Sequence, residues 1–455
     1  MKLRFERALL PDGIRRDVAV TFGPDGLLTA VGAATGDERV VRGLALPGMP
    51  NLHSHAFQRA MAGSAEVASG TEHSFWGWRE VMYRFVERLT PDETAAIAAF
   101  AYLEMLEAGY TSVAEFHYVH HTQSGAPYSE PTALADAVRQ GARLAGIRHL
   151  LLPTLYQSGN FGGVPLAGAQ RRFANDTGSF LRLFEQLDGS RSGLESTGVA
   201  LHSLRAVPRE AINEVAAALG RRARCPVHVH IAEQAREVRD CQAFSGQRPI
   251  EYLLGTGLVD ERWCLVHATH ASPEELKALA ASRAVAGLCA TTESNLGDGR
   301  FALDEYLAAG GRFGVGSDSH VSLDPREELR SLEYTLRAWR ERRVIAVDAA
   351  RPNCGAFLYA RAVCGGAQAM GHPAAGLIAG APADLVVLDT DRAEYAGLDE
   401  AALLDAFVFA PRPGAIRDVW VGGQQVVAGG RHRAHESIAA GYRASVTRLT
   451  RAMPR

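Results

Sequence analysis

His53 and His55 close the segment Leu46-Pro-Gly-Met-Pro-Asn-Leu-His-Ser-His55. On a strand, residues i and i+2 point to the same side, so both imidazoles can reach one metal ion. With sixteen histidines in 455 residues, roughly one such pair arises by chance, and the pair alone is weak. His230, His267 and Asp318 strengthen it, because each ends its own apolar, strand-like run. His53, His55, His230 and Asp318 together are a donor set that suits Zn²⁺ or Fe²⁺, with room for a water that the ion acidifies. Glu233 follows His230 at i+3, close enough to serve that water. This favours His230 over His228 as the ligand and leaves His228 as a core histidine. Taken singly, Asp318 in Gly314-Val-Gly-Ser-Asp-Ser319 reads equally well as a helix N-cap. His117, His120 and His121 read as loop or packing residues, since histidine tracts are only compositional hints of metal binding. His270 reads as a loop residue.

The elements that must position these groups are legible as eight apolar runs: 44–55, 111–117, 149–156, 198–204, 226–231, 263–268, 284–292 and 312–317. Helical stretches follow several of them. Thr90-Pro-Asp-Glu93 and Ser272-Pro-Glu-Glu275 both read as an N-cap, a Pro at the first helical position and a Glu three residues after the cap. Apolar strands alternating with helices imply a parallel sheet covered by helices. Eight such units over some 270 residues fit the α/β class, as a closed (β/α)₈ barrel of the usual ~250 residues. In that fold the chemistry sits at the carboxyl ends of the strands. His55, His117, His202, His230, His267 and Asp318 all fall there.

Both chain ends differ from this pattern. Residues 1–46 and 375–430 alternate and turn like short antiparallel strands, with a hairpin expected about Gly422-Gly423. They are expected to pair into one small, sandwich-like β-domain beside a catalytic barrel of residues 47–374, with a terminal helix in 431–455. Two excursions leave the barrel. Residues 56–89 carry Phe75-Trp-Gly-Trp-Arg-Glu80, and residues 158–195 are rich in Gly. Long loops on the catalytic face are commonly lids or substrate walls.

Bulk composition excludes several classes. Hydrophobic content of 47%, charge of 22% and a net charge of −3 describe an ordinary globular chain with no basic face for nucleic acid or membrane. No apolar run approaches the ~20 residues of a membrane span. Met-Lys-Leu-Arg-Phe-Glu-Arg places charges where a signal peptide would be apolar. The six cysteines show no Cys-x-x-Cys pairing and read as buried, reduced thiols of a cytoplasmic protein.

The pattern His-x-His, His-x-x-Glu, His and Ser-Asp on eight strands resembles the amidohydrolase superfamily, in its mononuclear deaminase branch. Within that branch the segments His53-Ser-His-Ala-Phe-Gln-Arg59, Trp76-Gly-Trp-Arg79, Glu115-Phe-His-Tyr118, Leu201-His-Ser-Leu-Arg205 and His228-Val-His-Ile-Ala-Glu-Gln234 are similar to those of a family that hydrolyses N-formimino-L-glutamate. Its products are N-formyl-L-glutamate and ammonia, in histidine degradation. The resemblance implies attack of metal-activated water on the formimino carbon. His267 would orient that water and stabilise the tetrahedral centre, Asp318 would take its proton, and Glu233 would protonate the leaving nitrogen. It also implies that Arg79 and Arg205 grip a small dicarboxylate in two-point fashion, with hydrogen bonds from Gln58, Tyr118 and His202. Binuclear relatives bridge two metals with a carboxylated lysine on strand 4. The run 199–205 has no lysine, and the two lysines, Lys2 and Lys277, lie elsewhere. One divalent metal per subunit is therefore expected, zinc before iron. A homodimer is what the family implies. Two rivals remain: a deaminase of the same branch acting on a ring such as guanine, cytosine, an adenosine-like base or a triazine, and a barrel that has lost catalysis.

Overall fold

The computed structural model describes all residues except 37, 68–74, 221, 223 and 452–455. Among the described residues there are seventeen strands, eight of which close a parallel barrel. In chain order the strands are β1 (Lys2–Leu10), β2 (Gly13–Phe22), β3 (Leu28–Ala33), β4 (Arg39–Pro47), β5 (Met49–Ser54), β6 (Tyr110–His117), β7 (Arg148–Leu155), β8 (Glu195–Thr197), β9 (Val199–Ser203), β10 (Val227–Ile231), β11 (Trp263–His267), β12 (Val285–Leu288), β13 (Arg312–Val315), β14 (Leu385–Leu388), β15 (Ile416–Val421), β16 (Gln424–Ala428) and β17 (Arg431–His432). β5, β6, β7, β9, β10, β11, β12 and β13 pair in that order, and β13 returns to β5 through Val315 opposite Asn51. β8 pairs with β7 alone. The strands β6, β10, β11 and β12 are buried along their whole length, as a sheet covered by helices requires.

The second sheet runs β17-β16-β15-β14-β4-β1-β2-β3 and joins the two ends of the chain. Leu3, Phe5, Val20, Leu28, Leu385 and Trp420 are buried in its core. The β15–β16 hairpin turns at Gly422 and Gly423, with φ of 55° and 78°, a conformation that favours glycine. The helix His435–Arg451 packs on α2 (Pro91–Ala108, the barrel's second long helix after α1, Phe75–Val86), where Tyr442 stacks on Phe100 at 4.2 Å.

Three expectations are corrected. The run 44–55 is two strands. β4 belongs to the small sheet and β5 to the barrel, and the chain passes between them at Gly48, where a Cβ would lie 2.1 Å from the Thr111 hydroxyl. The two N-cap motifs differ. Ser272 and Glu275 form the reciprocal pair, with Glu275 N donating to Ser272 Oγ at 3.2 Å and Ser272 N to Glu275 Oε2 at 2.9 Å. Thr90 instead donates its hydroxyl to the Glu93 carboxylate, so it caps no backbone amide. Five cysteines are buried free thiols, whereas Cys364 is exposed.

Candidate metal centre and substrate pocket

The histidines that end the strands converge. His53 Nε2 lies 3.0 Å from His230 Nε2, and Asp318 Oδ1 lies 3.3 Å from His53 Nε2 and 3.4 Å from His55 Nε2. Their tautomers follow from their outer contacts. His55 Nδ1 is 2.9 Å from the Phe116 carbonyl oxygen, and His230 Nδ1 is 2.9 Å from that of His202. A carbonyl only accepts, so each Nδ1 carries the hydrogen and each Nε2 turns a lone pair inward. Burial pushes His53 down to about 3 and holds His55 and His230 below their ordinary values, so all three rings are neutral. Burial also works to raise Asp318. The hydrogen bond from His53 and the nearby His267 and His55 outweigh it, so Asp318 is held as a carboxylate. The inward lone pairs of His55 and His230, beside His53 and an anionic Asp318 oxygen, are what a divalent cation fits. Among the described residues, His53, His55 and His230 form one group able to hold an ion, and His53, His267 and Asp318 form another.

The backbone is strained at the same place. Ala232, His267, Ala268, Asp318 and His320 all have φ between 43° and 70°, unusual for residues with a side chain. Each lies at or just past the end of a barrel strand, and two of them, His267 and Asp318, line the pocket at the mouth.

His267 stands beside this cluster. Its Nε2 is 3.7 Å from Glu233 Oε1 and 3.9 Å from Asp318 Oδ2, while Nδ1 is 3.3 Å from Glu293 Oε1. Burial works against charge on His267, but Glu233, Glu293 and Asp318 outweigh it and hold the ring's affinity for a proton above normal. Burial raises Glu233, reinforced by Asp318 and Glu237 and opposed by His267, which makes it a carboxyl able to carry a proton near neutral pH. Glu115 is an inner support. It accepts from Ser54 Oγ at 2.6 Å, from Tyr102 at 2.9 Å and from Ala56 N at 2.7 Å, and so fixes the turn on either side of His55.

A pocket opens above the cluster. Gln58, Arg79, Tyr118, His202 and Arg205 all line it, together with His55, His230, Glu233, His267 and Asp318. Gln58 Nε2 donates to the Tyr118 hydroxyl at 3.2 Å. The excursion 56–89 contributes α1, whose residues Phe75, Trp78, Arg79, Met82 and Tyr83 face the pocket at helical spacing. Trp76, on the same helix, has the guanidinium carbons of Arg79, Arg236 and Arg205 at 4.3, 4.6 and 5.7 Å from its ring centre. The Nε atoms of Arg79 and Arg205 are buried without a hydrogen-bond partner.

The other histidines lie outside the cluster. His228 bonds the Ala369 carbonyl at 2.9 Å in the barrel core, and His120 bonds that of Thr154 at 3.0 Å. His270 bonds the Asp298 carbonyl at 2.8 Å. His117 is buried with an unpartnered Nε2. The sequence reading missed Glu115, Glu293, Tyr83, Tyr156 and Phe173. None belongs to a spaced motif, and only the Glu115-Phe-His-Tyr118 segment gave a signal that could have reached one of them.

Residues 44–426 match the amidohydrolase family. A formimidoylglutamate deiminase of Pseudomonas aeruginosa is 50% identical over 96% of this chain and 97% of its own length. A 5-methylthioadenosine/S-adenosylhomocysteine deaminase of Natronomonas pharaonis is 26% identical over 88% of this chain and 86% of its own. A crystal structure of an amidohydrolase from Brucella melitensis superposes with a TM-score of 0.93 at 42% identity, over 99% of both chains. The zinc-bound adenosine deaminase of Xanthomonas campestris shares the fold, with a TM-score of 0.82 at 22% identity over 99% of this chain and 98% of its own. The closed barrel, its second sheet and its convergent histidines thus accompany a match over most of the sequence, and the chain belongs to the amidohydrolase family.

Proposed function

We propose that this chain hydrolyses N-formimino-L-glutamate to N-formyl-L-glutamate and ammonia. The observation that carries the reading is the pair of guanidinium groups, Arg79 and Arg205, lining the pocket with buried, unpartnered Nε–H groups. A buried donor left without an acceptor is costly, and a carboxylate presents the two oxygens that a guanidinium fork matches. A dicarboxylate supplies one such group for each arginine. The 50% identical relative, named as a formimidoylglutamate deiminase, supports the same substrate.

His53, His55, His230 and Asp318 would hold one divalent ion, zinc by the donor set, which supplies Lewis acidity toward water and the formimino group. The rest of the reaction falls to side chains. Asp318 accepts a proton from the attacking water at Oδ2, the oxygen that faces His267. His267 Nε2 donates toward the oxygen as it adds to the formimino carbon, stabilising the charge that develops there. Glu233 carries a proton to the terminal nitrogen. That turns the imine nitrogen into an amine. Asp318 next takes the remaining proton from the added hydroxyl, and Glu233 delivers a second proton to the amine. The C–N bond breaks with its electron pair on nitrogen, so ammonia leaves as a neutral molecule. The added oxygen becomes the formyl carbonyl. Water supplies every atom gained.

The family resemblance also implies a homodimer, and the unpaired cysteines favour a cytoplasmic location. Among the described residues no helix is long and apolar enough to cross a membrane.

Ammonia release tests the reading, on N-formimino-L-glutamate beside guanine, cytosine and 5′-methylthioadenosine. The metal content should be about one ion per chain, and chelation should abolish turnover. Faster release from any ring substrate would contradict the proposal.

A further inference from the structure

Opposite α1, the excursion that follows β7 reaches the same pocket through Tyr156 and Phe173. Behind Tyr156 sits Gln170, buried, in the short helical turn Gly168–Phe173. Its orientation is fixed, because Gln170 Oε1 accepts from the Ala167 backbone N–H at 3.1 Å. The amide nitrogen therefore points the other way and donates to the Tyr156 hydroxyl at 3.1 Å. The same amide faces the Tyr83 hydroxyl, which hangs from α1. The Tyr156 oxygen thus receives a hydrogen from Gln170, and the Tyr83 hydroxyl has the same N–H beside it. An amide N–H cannot accept, so each hydroxyl hydrogen must be spent elsewhere. The charged neighbours on the pocket side are Arg79 and Arg205, which have only donors to offer. Burial raises Tyr83 to about 12 and also raises Tyr156, despite the opposing arginines, so both stay protonated at neutral pH.

Four donors, two guanidinium groups and two phenols, thus line one pocket, and among the described residues no protein acceptor meets either phenolic hydrogen. We propose that Tyr83 and Tyr156 are specificity-determining residues, whose hydroxyl groups donate to one carboxylate of the substrate beside Arg79 and Arg205, with Gln170 as the residue that positions them. The inference rests on the dicarboxylate reading given above and names the groups that distinguish a second carboxylate from its absence. It also gives the Gly-rich excursion a task, since the segment carrying Gln170 sets which way the hydroxyl hydrogens point.

The test pairs enzyme variants with trimmed substrates. Tyr83→Phe and Tyr156→Phe keep the rings, including the packing of Tyr156 on His202 at 4.4 Å. The substrates are N-formimino-L-glutamate, N-formimino-4-aminobutanoate without the α-carboxylate, and N-formimino-2-aminobutanoate without the side-chain carboxylate. Each variant should lose about ten- to a hundredfold in kcat/KM on the dicarboxylate, mainly through KM. On the one monocarboxylate that lacks the group bound by the tyrosines, each variant should match the wild-type enzyme. Unchanged kinetics on the dicarboxylate, or an equal loss on all three substrates, would overturn the assignment. Wild-type enzyme that releases no ammonia from any of the three would overturn the deimination reading, and the tyrosine assignment with it.

Discussion

At the scale of single residues, Glu233 and His267 are proposed to move protons without holding the ion, whereas Asp318 is proposed to do both. Glu233 lies beside His267 but is not among the inward lone pairs. Glu233→Gln should keep the full metal content and lower kcat by about 10²–10⁴-fold. Metal analysis and steady-state rates on one preparation check this, and a variant that loses its metal would move Glu233 into the ligand set. Arg205 is not among the proposed ligands, so Arg205→Ala should act on binding. It should raise KM by about 10- to 100-fold, the effect of losing a hydrogen-bonded charge, while kcat changes little. An unchanged KM would remove Arg205 from the substrate grip. The ligands were legible in the sequence because they end strands, and a two-residue period on a strand has only one geometric meaning. Glu293 and Gln170 were not legible. Each acts through hydrogen bonds to neighbours elsewhere in the chain, and a lone Glu or Gln on a short helix carries no spacing that marks it.

At the scale of elements, the alternation of strands and helices revealed the barrel because the strands are largely apolar runs and several of the helices between carry start signals. The boundary at Gly48 escaped for a physical reason. β4 and β5 are both apolar and nearly continuous, and only the close approach of Thr111, a contact far along the chain, shows where one sheet ends and the other begins. The excursion carrying α1 was readable as a lid from its aromatic residues, but its fastening was not. Trp76 lies under the guanidinium groups of Arg79, Arg205 and Arg236, which tie α1 to the ends of two other units. Trp76→Leu should therefore raise KM by roughly 5- to 30-fold, as expected from one or two cation–π contacts. The thermal midpoint should stay near the wild-type value. If KM is unchanged, the arginines keep their places without the indole.

At the scale of the whole molecule, the barrel carries several histidines that are neutral because they are buried. Burial lowers His149 to about 3, and His228 and His120 to about 4. In the unfolded chain each would titrate near ~6.5. Between those values the unfolded state binds more protons than the folded one. The stability these neutral rings contribute is thus complete above pH ~6.5 and is lost as the pH falls from there toward 4, by about 1.4 kcal/mol per pH unit for each histidine. Both ring nitrogens of His149 are without partners. His149→Phe should accordingly flatten the dependence by about one histidine's share, read as urea-unfolding free energies at pH 5 and pH 6 against the wild type. An unaltered slope would mean that His149 is not held neutral by the fold. The central claim is that four side chains, brought together by three different strand ends, hold one ion beneath a pocket built for a dicarboxylate. The most direct measurement is a crystal structure of the zinc-loaded protein with N-formyl-L-glutamate bound. The account predicts one ion at about 2.0–2.2 Å from His53, His55, His230 and Asp318, with the two carboxylates against Arg79 and Arg205. An ion held by other residues, or a ligand whose carboxylates avoid both arginines, would contradict it.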